Sequence, residues 1–410
     1  MKIIHTSDWH LGQNFFEYDR RDEHCSMVNQ LVELVKCEKP DALVIAGDIY
    51  DIPAPGISVQ KEFAEYMVAL HTGCPHMKII CISGNHDSAS RHEIYQTPWE
   101  ALNVHMVGKA DMENPENNII QIGEKGWVVA VPYTNERFLD DDFFKSLEQV
   151  TKEKTGEKLP IVYVGHAAIR DSKIDYTGHQ IQGMSMSSDK LTSDDFRFVG
   201  GIECTDIKEL GDVYDYVALG HIHKAQTFNS GRARYCGSPL AVSFDEVRPG
   251  YEHGFSIVEI ESHGASPIIT TKEVTTTCPL VNIPVSGFAA WSDAMKELKA
   301  FPREIKAYIR LNILLKGNEL LPFDAKVQIQ NALQGKEARH AVTNPTREEA
   351  PSTENGKSGI VSLTISELNS KDPRFILESY AKSKGHIFDA EFEEMFEIIL
   401  NTINDTDYEN

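Results

Sequence analysis

Long apolar runs are missing from this sequence. No stretch approaches the roughly 18–20 consecutive apolar residues that a membrane span requires, so a membrane-spanning helix is not expected. The opening Met1-Lys2-Ile3-Ile4-His5 lacks a long apolar region and a small-residue cleavage site, and it reads as the start of a strand rather than a signal peptide. The seven cysteines are odd in number and no two stand as CxxC. Neither a disulfide frame nor a structural zinc site is expected, and reduced thiols in a cytoplasmic setting are. Internal repeats are absent. Positive charge is scarce: 40 Lys and Arg stand against 62 Asp and Glu, a net charge of −22, which at first sight disfavours a nucleic-acid partner.

The distribution softens that exclusion. Residues 1–280 hold 25 Lys and Arg against 42 Asp and Glu, and residues 341–410 hold 6 against 14. Only 281–340 is basic, with 9 against 6. Bound divalent cations would offset negative charge wherever carboxylates act as ligands. With 410 residues and 41% hydrophobic content, the chain has room for two or three domains with ordinary cores.

Up to about residue 280, short apolar runs alternate with helical patterns. The strands expected are Lys2–Thr6, Ala42–Ala46, Lys78–Ile82, Trp127–Val131, Ile161–Val164, Tyr214–Leu219 and Phe255–Ile260. They are continuously apolar, as in strands covered on both faces. Met27, Leu31, Leu34 and Val35 recur at helical spacing before Pro40, and Val59, Phe63, Tyr66, Met67 and Leu70 do the same; a third helix is expected at about 91–103. This rhythm predicts an α/β layered domain over 1–279. A small α+β unit follows over 280–368. It has strands at Leu280–Val285 and Ala307–Leu315, helices around Trp291–Phe301 and Phe323–Leu333, a polar insertion at about 341–358 and a further strand at 360–365. Strand Ala307–Leu315 alternates, with Tyr308, Arg310 and Asn312 on its polar side. Residues 369–410 read as two helices parted at Lys384-Gly385, the second with an apolar stripe from Phe388 to Ile403 expected to bind a partner.

The chemistry lies in the residues at the end of each strand: Ser7-Asp8-Trp9-His10, Gly47-Asp48-Ile49-Tyr50-Asp51, Gly84-Asn85-His86-Asp87, Gly165-His166 and Gly220-His221-Ile222-His223. Right-handed crossovers bring such ends to one edge of a sheet, where ligand sites collect. One strand-end Asp is ordinarily a turn or cap residue, and one His-x-His is ordinarily incidental. Five strand ends with the same habit are not. Leaving His86 aside, Asp8, His10, Asp48, Asn85, His166, His221 and His223 are oxygen and nitrogen donors suited to two divalent cations. A carboxylate such as Asp48 can bridge ions about 3.5–4 Å apart. Mixed His, carboxylate and amide ligation favours Mn(II), Fe or Zn over Mg(II).

The ordered set DxH, GDxxD, GNHD, GH and GHIH resembles the calcineurin-like metallophosphoesterase superfamily. The opening Met1–Gly12, the Gly47–Asp51 block, Ala218–His223, Tyr235-Cys236-Gly237-Ser238-Pro239 and Ser243-Phe244-Asp245-Glu246 resemble, more closely, the nuclease-subunit branch of the bacterial SbcCD complexes. The resemblance implies a four-layer α/β/β/α nuclease domain, a small capping domain and a C-terminal helix pair. It implies two Mn(II) ions, one held by Asp8, His10, Asp48 and His223, the other by Asp48, Asn85, His166 and His221. His86 would contact the scissile phosphate or protonate the leaving oxygen. The implied substrate is DNA, cut at duplex ends, hairpins and single strands in repair under control of the SbcC ATPase, which the C-terminal helices would bind. The nuclease subunits would pair through helices near 57–70 and 91–103 within a heterotetramer. Archaeal and eukaryotic cousins carry His three residues after the bridging carboxylate, where this chain has Asp51; a carboxylate there is expected to hydrogen-bond His86 and raise its pKa. DNA contact is expected through phosphates, with Lys296, Lys299, Arg303 and Lys306 the candidates by clustering. Two other readings stand beside this one: a small-molecule phosphodiesterase, and a metal-stabilised DNA-end scaffold with little catalysis.

Overall fold

Three of the expected apolar runs and one further short strand form the parallel part of the first sheet: β1 (Lys2–Thr6), β2 (Ala42–Ala46), β3 (Lys78–Ile82) and β4 (Val104–Val107). The second sheet comprises β5 (Ile119–Ile122), β6 (Gly126–Val131), β7 (Ile161–His166), β8 (Tyr216–Gly220), β9 (Gln226–Phe228) and β10 (Ala233–Tyr235), in the order β9-β10-β8-β7-β6-β5. Then β11 (Gly254–Glu259) and β12 (Ile268–Glu273) return to the first sheet, antiparallel beside β1, giving β12-β11-β1-β2-β3-β4. This computed structural model describes residues 1–94, 96–134, 142–170, 205–248, 250–317 and 319–347, with four two-residue strands between 180 and 203. The chain divides into two units, Met1–Glu348 and Glu349–Asn410. The strand expected at 360–365 and the helices expected from 373 to 403 lie outside the described residues.

The apolar strands are covered on both faces. Ile3, Val44, Ala46, Ile80 and Ile82 of the first sheet pack on Val128, Ala130, Val162, Val164 and Ala218 of the second. On the outer face of the first sheet lie helices α1 (Arg21–Glu38) and α2 (Ile57–Gly73), through Met27, Leu31 and Val35 and through Phe63, Met67 and Leu70. Helix α1 stops where Lys39 turns left-handed, its N–H bonded to the Val35 carbonyl, just before Pro40. Helix α5 (Phe143–Thr155) covers the second sheet with Phe143 and Leu147. The result is four layers, α/β/β/α. Strands β4, β5, β9, β10 and β12 and helix α5 are not among the elements that the sequence pattern predicts. The helix expected at about 91–103 is described as α3 (Ala89–Ile94) and α4 (Gln96–Glu100), on either side of residue 95, which lies outside the described residues.

A third sheet, all parallel, joins β13 (Leu280–Ile283), β14 (Tyr308–Leu315) and β15 (Arg339–Arg347). Helices α6 (Trp291–Ala300) and α7 (Ala325–Leu333) cover one face, closing a core of Met295, Leu298, Ile309, Leu311, Ile313 and Ile329. Two expectations change here. Tyr308 and Asn312, on the polar side of the alternation, are buried. That face docks on the larger domain: Tyr308 packs with Phe15, Phe244 and Leu280, and its hydroxyl donates to Glu23 Oε1 of α1 at 2.8 Å. And residues 341–347, read as part of a polar insertion, form most of β15. A sheet-edge strand tolerates polar side chains and Pro345, because its outer row of backbone groups needs no partner strand.

Candidate metal centre

The strand ends depart from ordinary backbone geometry. Asp8, His10, Asp48 and His221 have φ of 53°, 46°, 49° and 96°, a region that costs a non-glycine residue on the order of 1–3 kcal/mol. Bonds between the turns hold them: Asp8 N–H donates to the Gly47 carbonyl at 3.0 Å, and His10 N–H to the Asp48 carbonyl at 3.1 Å. Two glycines make room. A Cβ on Gly84 would overlap the carboxylate and amide of Asp48, and one on Gly47, whose φ is 86°, would enter the His166 ring. The two sheets meet here, since His166 at the end of β7 shares a hydrogen bond of 2.8 Å between Nδ1 and the Ala46 carbonyl at the end of β2.

The structure brings all seven donor residues to this edge. His10 Nε2 and His223 Nε2 lie 3.3 Å apart, and Asp8 Oδ1 is 3.9 Å from His223 Nε2. The Asn85 amide oxygen is 3.0 Å from His166 Nε2 and 3.0 Å from His221 Nδ1. Asp48 Oδ2 lies between these groups, 3.3 Å from His166 Nε2 and 3.9 Å from His10 Nε2. Asp8, His10 and His223 can surround one ion, and Asp8, Asp48 and His166 another. Asp8 thus belongs to both groups by distance, and Asp48 is not the only carboxylate placed to be shared. Asp8, His10, Asp48, His166 and His221 are buried, while Asn85 is exposed on the solvent side.

Electrostatics match a site made for cations. Burial alone would lower His166 and His223, but the Asp48 carboxylate lifts His166, and Glu246 lifts His223, each to about 9. Burial alone would raise Asp48; the charge and hydrogen bond of His166, then His10 and His86, outweigh it and hold Asp48 below the usual carboxylate range. Protons on these imidazoles therefore occupy the place that metal ions would take, and metal binding should release them. Two carboxylates, four imidazoles and one amide fit divalent cations of mixed N/O preference.

The residues beside the donors have separate roles. His86 is half-buried; its backbone N–H donates to Asp48 Oδ1 at 2.8 Å, and its Nδ1 is bonded to the Asp51 backbone carbonyl at 2.8 Å. A carbonyl accepts only, so Nδ1 carries the proton and Nε2 is turned to other partners. The Asp51 carboxylate, expected on His86, is instead 3.2 Å from His10 Nδ1. The sharp turn after Asp48 points the Asp51 main chain, not its side chain, toward His86. Asp87 accepts from the backbone N–H groups of Ile49, Tyr50 and Gly84 at 3.1, 3.0 and 2.9 Å, tying the second and third strand ends together.

Sequence reasoning overlooks Glu246. Its Oε1 is 3.0 Å from His223 Nδ1. The Ser243–Glu246 block stands out in the sequence only as a subfamily signature; nothing in its spacing joins it to a histidine 23 residues earlier. Lys296, Lys299, Arg303 and Lys306 are all exposed. Other cations of the basic block are engaged within the fold: Arg310 with Asp245, Arg339 over the Tyr18 and Tyr308 rings, and Lys336 on the last carbonyls of α6.

Comparison with known proteins agrees with this geometry. The profile of the calcineurin-like phosphoesterase family matches residues 1–225. Among similar proteins, the SbcD subunit of nuclease SbcCD from Rhodobacter capsulatus is 25% identical over 311 residues, 73% of this chain and 75% of the relative. The Escherichia coli K12 protein of the same name is 28% identical over 288 residues, 64% of this chain and 67% of the relative. That of Bacillus subtilis 168 is 30% identical over 275 residues, 63% and 66% of the two chains. No described helix is long and apolar enough to cross a membrane. With a match over more than half its length, and the matched residues carrying the donor cluster, this chain belongs to the calcineurin-like phosphoesterase family.

Proposed function

We propose that this protein is the nuclease subunit of an ATP-dependent DNA repair complex, hydrolysing DNA phosphodiester bonds with two divalent ions, Mn(II) the first choice. The observation that carries the reading is the convergence of seven N and O donors from five strand ends on one edge, in a chain similar to nuclease subunits over about two thirds of its length. One ion would be held by Asp8, His10, Asp48 and His223, the other by Asp48, Asn85, His166 and His221. The ions would lower the pKa of water and neutralise charge developing on the attacked phosphate. His86 directs Nε2 away from its carbonyl anchor, where it would contact the scissile phosphate or protonate the leaving oxygen, with the Asp51 carbonyl holding Nδ1–H.

The same reading assigns roles to the rest of the chain. Residues 280–368 would be a capping domain, and its exposed Lys296, Lys299, Arg303 and Lys306 would contact phosphates, making binding sequence-independent and salt-sensitive. A second copy would pair through α2 and α3, where Ile57 and Ile94 are 87% and 65% exposed beside a cavity of about 500 Å³. The segment 369–410 would bind the SbcC ATPase. The test compares Mn(II)-dependent cleavage of a DNA hairpin with hydrolysis of a small phosphodiester, with and without the ATPase subunit. Hairpin cleavage that His86→Ala abolishes is expected. Hydrolysis of the small ester alone, with no gain from the ATPase, refutes the nuclease reading in favour of a small-molecule phosphodiesterase.

A further inference from the structure

Glu246 is buried and accepts four hydrogen bonds. Oε1 takes the Ser243 backbone N–H at 3.0 Å and faces His223 Nδ1 at 3.0 Å. Oε2 takes the Ser238 hydroxyl at 3.1 Å and the Val242 backbone N–H at 2.9 Å. Every lone-pair direction of the carboxylate is thus used, and its position is set by three donors other than the histidine. An acceptor on Nδ1 places the His223 proton there and leaves Nε2 to face Asp8 and His10.

The preceding residue faces the other way. Asp245 Oδ1 accepts from Arg310 Nη1 of β14 at 2.7 Å. The same guanidinium donates through Nε to Asn282 Oδ1 of β13 at 2.8 Å and lies 5.2 Å from the centre of the Phe244 ring. Residues Phe244–Glu246 form a single turn of 3₁₀ helix, so Asp245 and Glu246 make these two sets of contacts from adjacent positions. One side of this turn is therefore fastened to the third sheet, and the other to a histidine of the donor cluster.

We propose that Glu246 is the positioning residue for His223, and that the Ser243–Glu246 turn links it to the small domain through Asp245 and Arg310, so that the hold on one of two metal ions depends on how that domain is seated. The proposal rests on the reading of His223 as a metal ligand. Its consequence is directional: displacing the third sheet would pull the turn, tilt the His223 ring and loosen the ion shared with Asp8 and His10, leaving the ion at Asn85, His166 and His221 in place.

The experiment measures Mn(II) binding to the full chain by calorimetry and by electron paramagnetic resonance, which reports free, mononuclear and paired Mn(II) without turnover. Wild type should bind two ions, and His223→Ala should lose one. In Glu246→Gln, the amide presents an N–H either to the His223 ring or to the Val242 amide. It should weaken one site about 10–100-fold, spare the other, and replace the paired signal by a mononuclear one. Arg310→Met should weaken the same site by a smaller factor than Glu246→Gln, because it acts through the turn rather than on the ring. Combined with Glu246→Gln it should add less than its own effect, because the two act along one path. Wild-type affinity at both sites in Glu246→Gln overturns the positioning role. Should Glu246→Gln fail to fold, Arg310→Met decides: unchanged affinity at both sites overturns the link. A different result marks failure of the underlying reading, namely two ions still bound in His223→Ala.

Discussion

The bond network of Asp87 sets a sharp expectation. Its carboxylate accepts from Ile49 N–H and Gly84 N–H through Oδ2, and from Tyr50 N–H through Oδ1. In Asp87→Asn one oxygen becomes an amino group. Keeping the remaining oxygen at the Oδ2 position preserves two bonds and sets an N–H against the Tyr50 N–H. The loss is then one bond to a charged acceptor, about 1.5–3 kcal/mol, plus weakening of the two that remain. Burial, and after it the Asp48 charge, push the Asp87 pKa up, so removing the charge relieves some repulsion and moderates the loss. A local destabilisation of about 2–4 kcal/mol follows, which at 1.4 kcal/mol per factor of ten is about 30- to 700-fold in local opening. Hydrogen exchange read by mass spectrometry on peptides covering 47–52 and 83–88 should accelerate by that factor, while helix α5 keeps its protection. Unchanged exchange in both peptides, with an unchanged urea midpoint, would refute the claim that this carboxylate ties the two turns together.

Two further expectations concern single residues. Asp51→Asn keeps the backbone carbonyl that anchors His86, so the pH profile attributable to His86 should hold while the surroundings of His10 change. Metal affinity should fall while that profile stays in place, and a shifted profile at wild-type affinity would restore the carboxylate–His86 pairing. His5 is fully buried, its Nδ1 2.8 Å from the Tyr216 hydroxyl, and burial, then the Arg234 charge, push its pKa down to about 3. The unfolded chain takes up this proton near pH 6.5 and the folded chain refuses it until about pH 3. Stability should therefore fall as pH drops through 6.5, and this loss should level off near 3. Between pH 7 and pH 5 the contribution is about 2 kcal/mol. His5→Gln should flatten the acid limb of urea unfolding by that amount, and an unaltered pH slope would count against it.

Much of the fold was legible because its central strands carry a strong signal. A strand buried on both faces needs an unbroken apolar run, and the runs at 42–46, 78–82 and 161–164 have no other economical explanation. Helices α1 and α2 show a full apolar stripe and clear ends. The edge strands β4, β5, β9 and β12 do not, since a strand at a sheet edge is specified largely by the neighbour it pairs with. The burial of Tyr308 and Asn312 escaped the pattern for a related reason: alternation reports that a strand has two unlike faces, and cannot say that a second domain will cover the polar one. The strand over 339–347 was obscured by its edge position, where polar side chains and Pro345 are tolerated.

The donor residues themselves were determined by the sequence alone, because their types, and their habit of standing at strand ends, are local properties of the chain. Their partnership was decided only in three dimensions. The convergence of His166 with Asn85, of His223 with His10, and the placement of Asp48 between them depend on two sheets stacked face to face with their strand ends at one edge. So does the exchange of roles at Asp51, whose carbonyl reaches His86 while its carboxylate turns to His10. Glu246 is the clearest case. It lies 23 residues beyond the histidine it faces, and only the turn that joins the larger domain to the third sheet brings the two within a hydrogen bond. Residue type limits what a group can do, and the packing of separate elements sets which partner it meets.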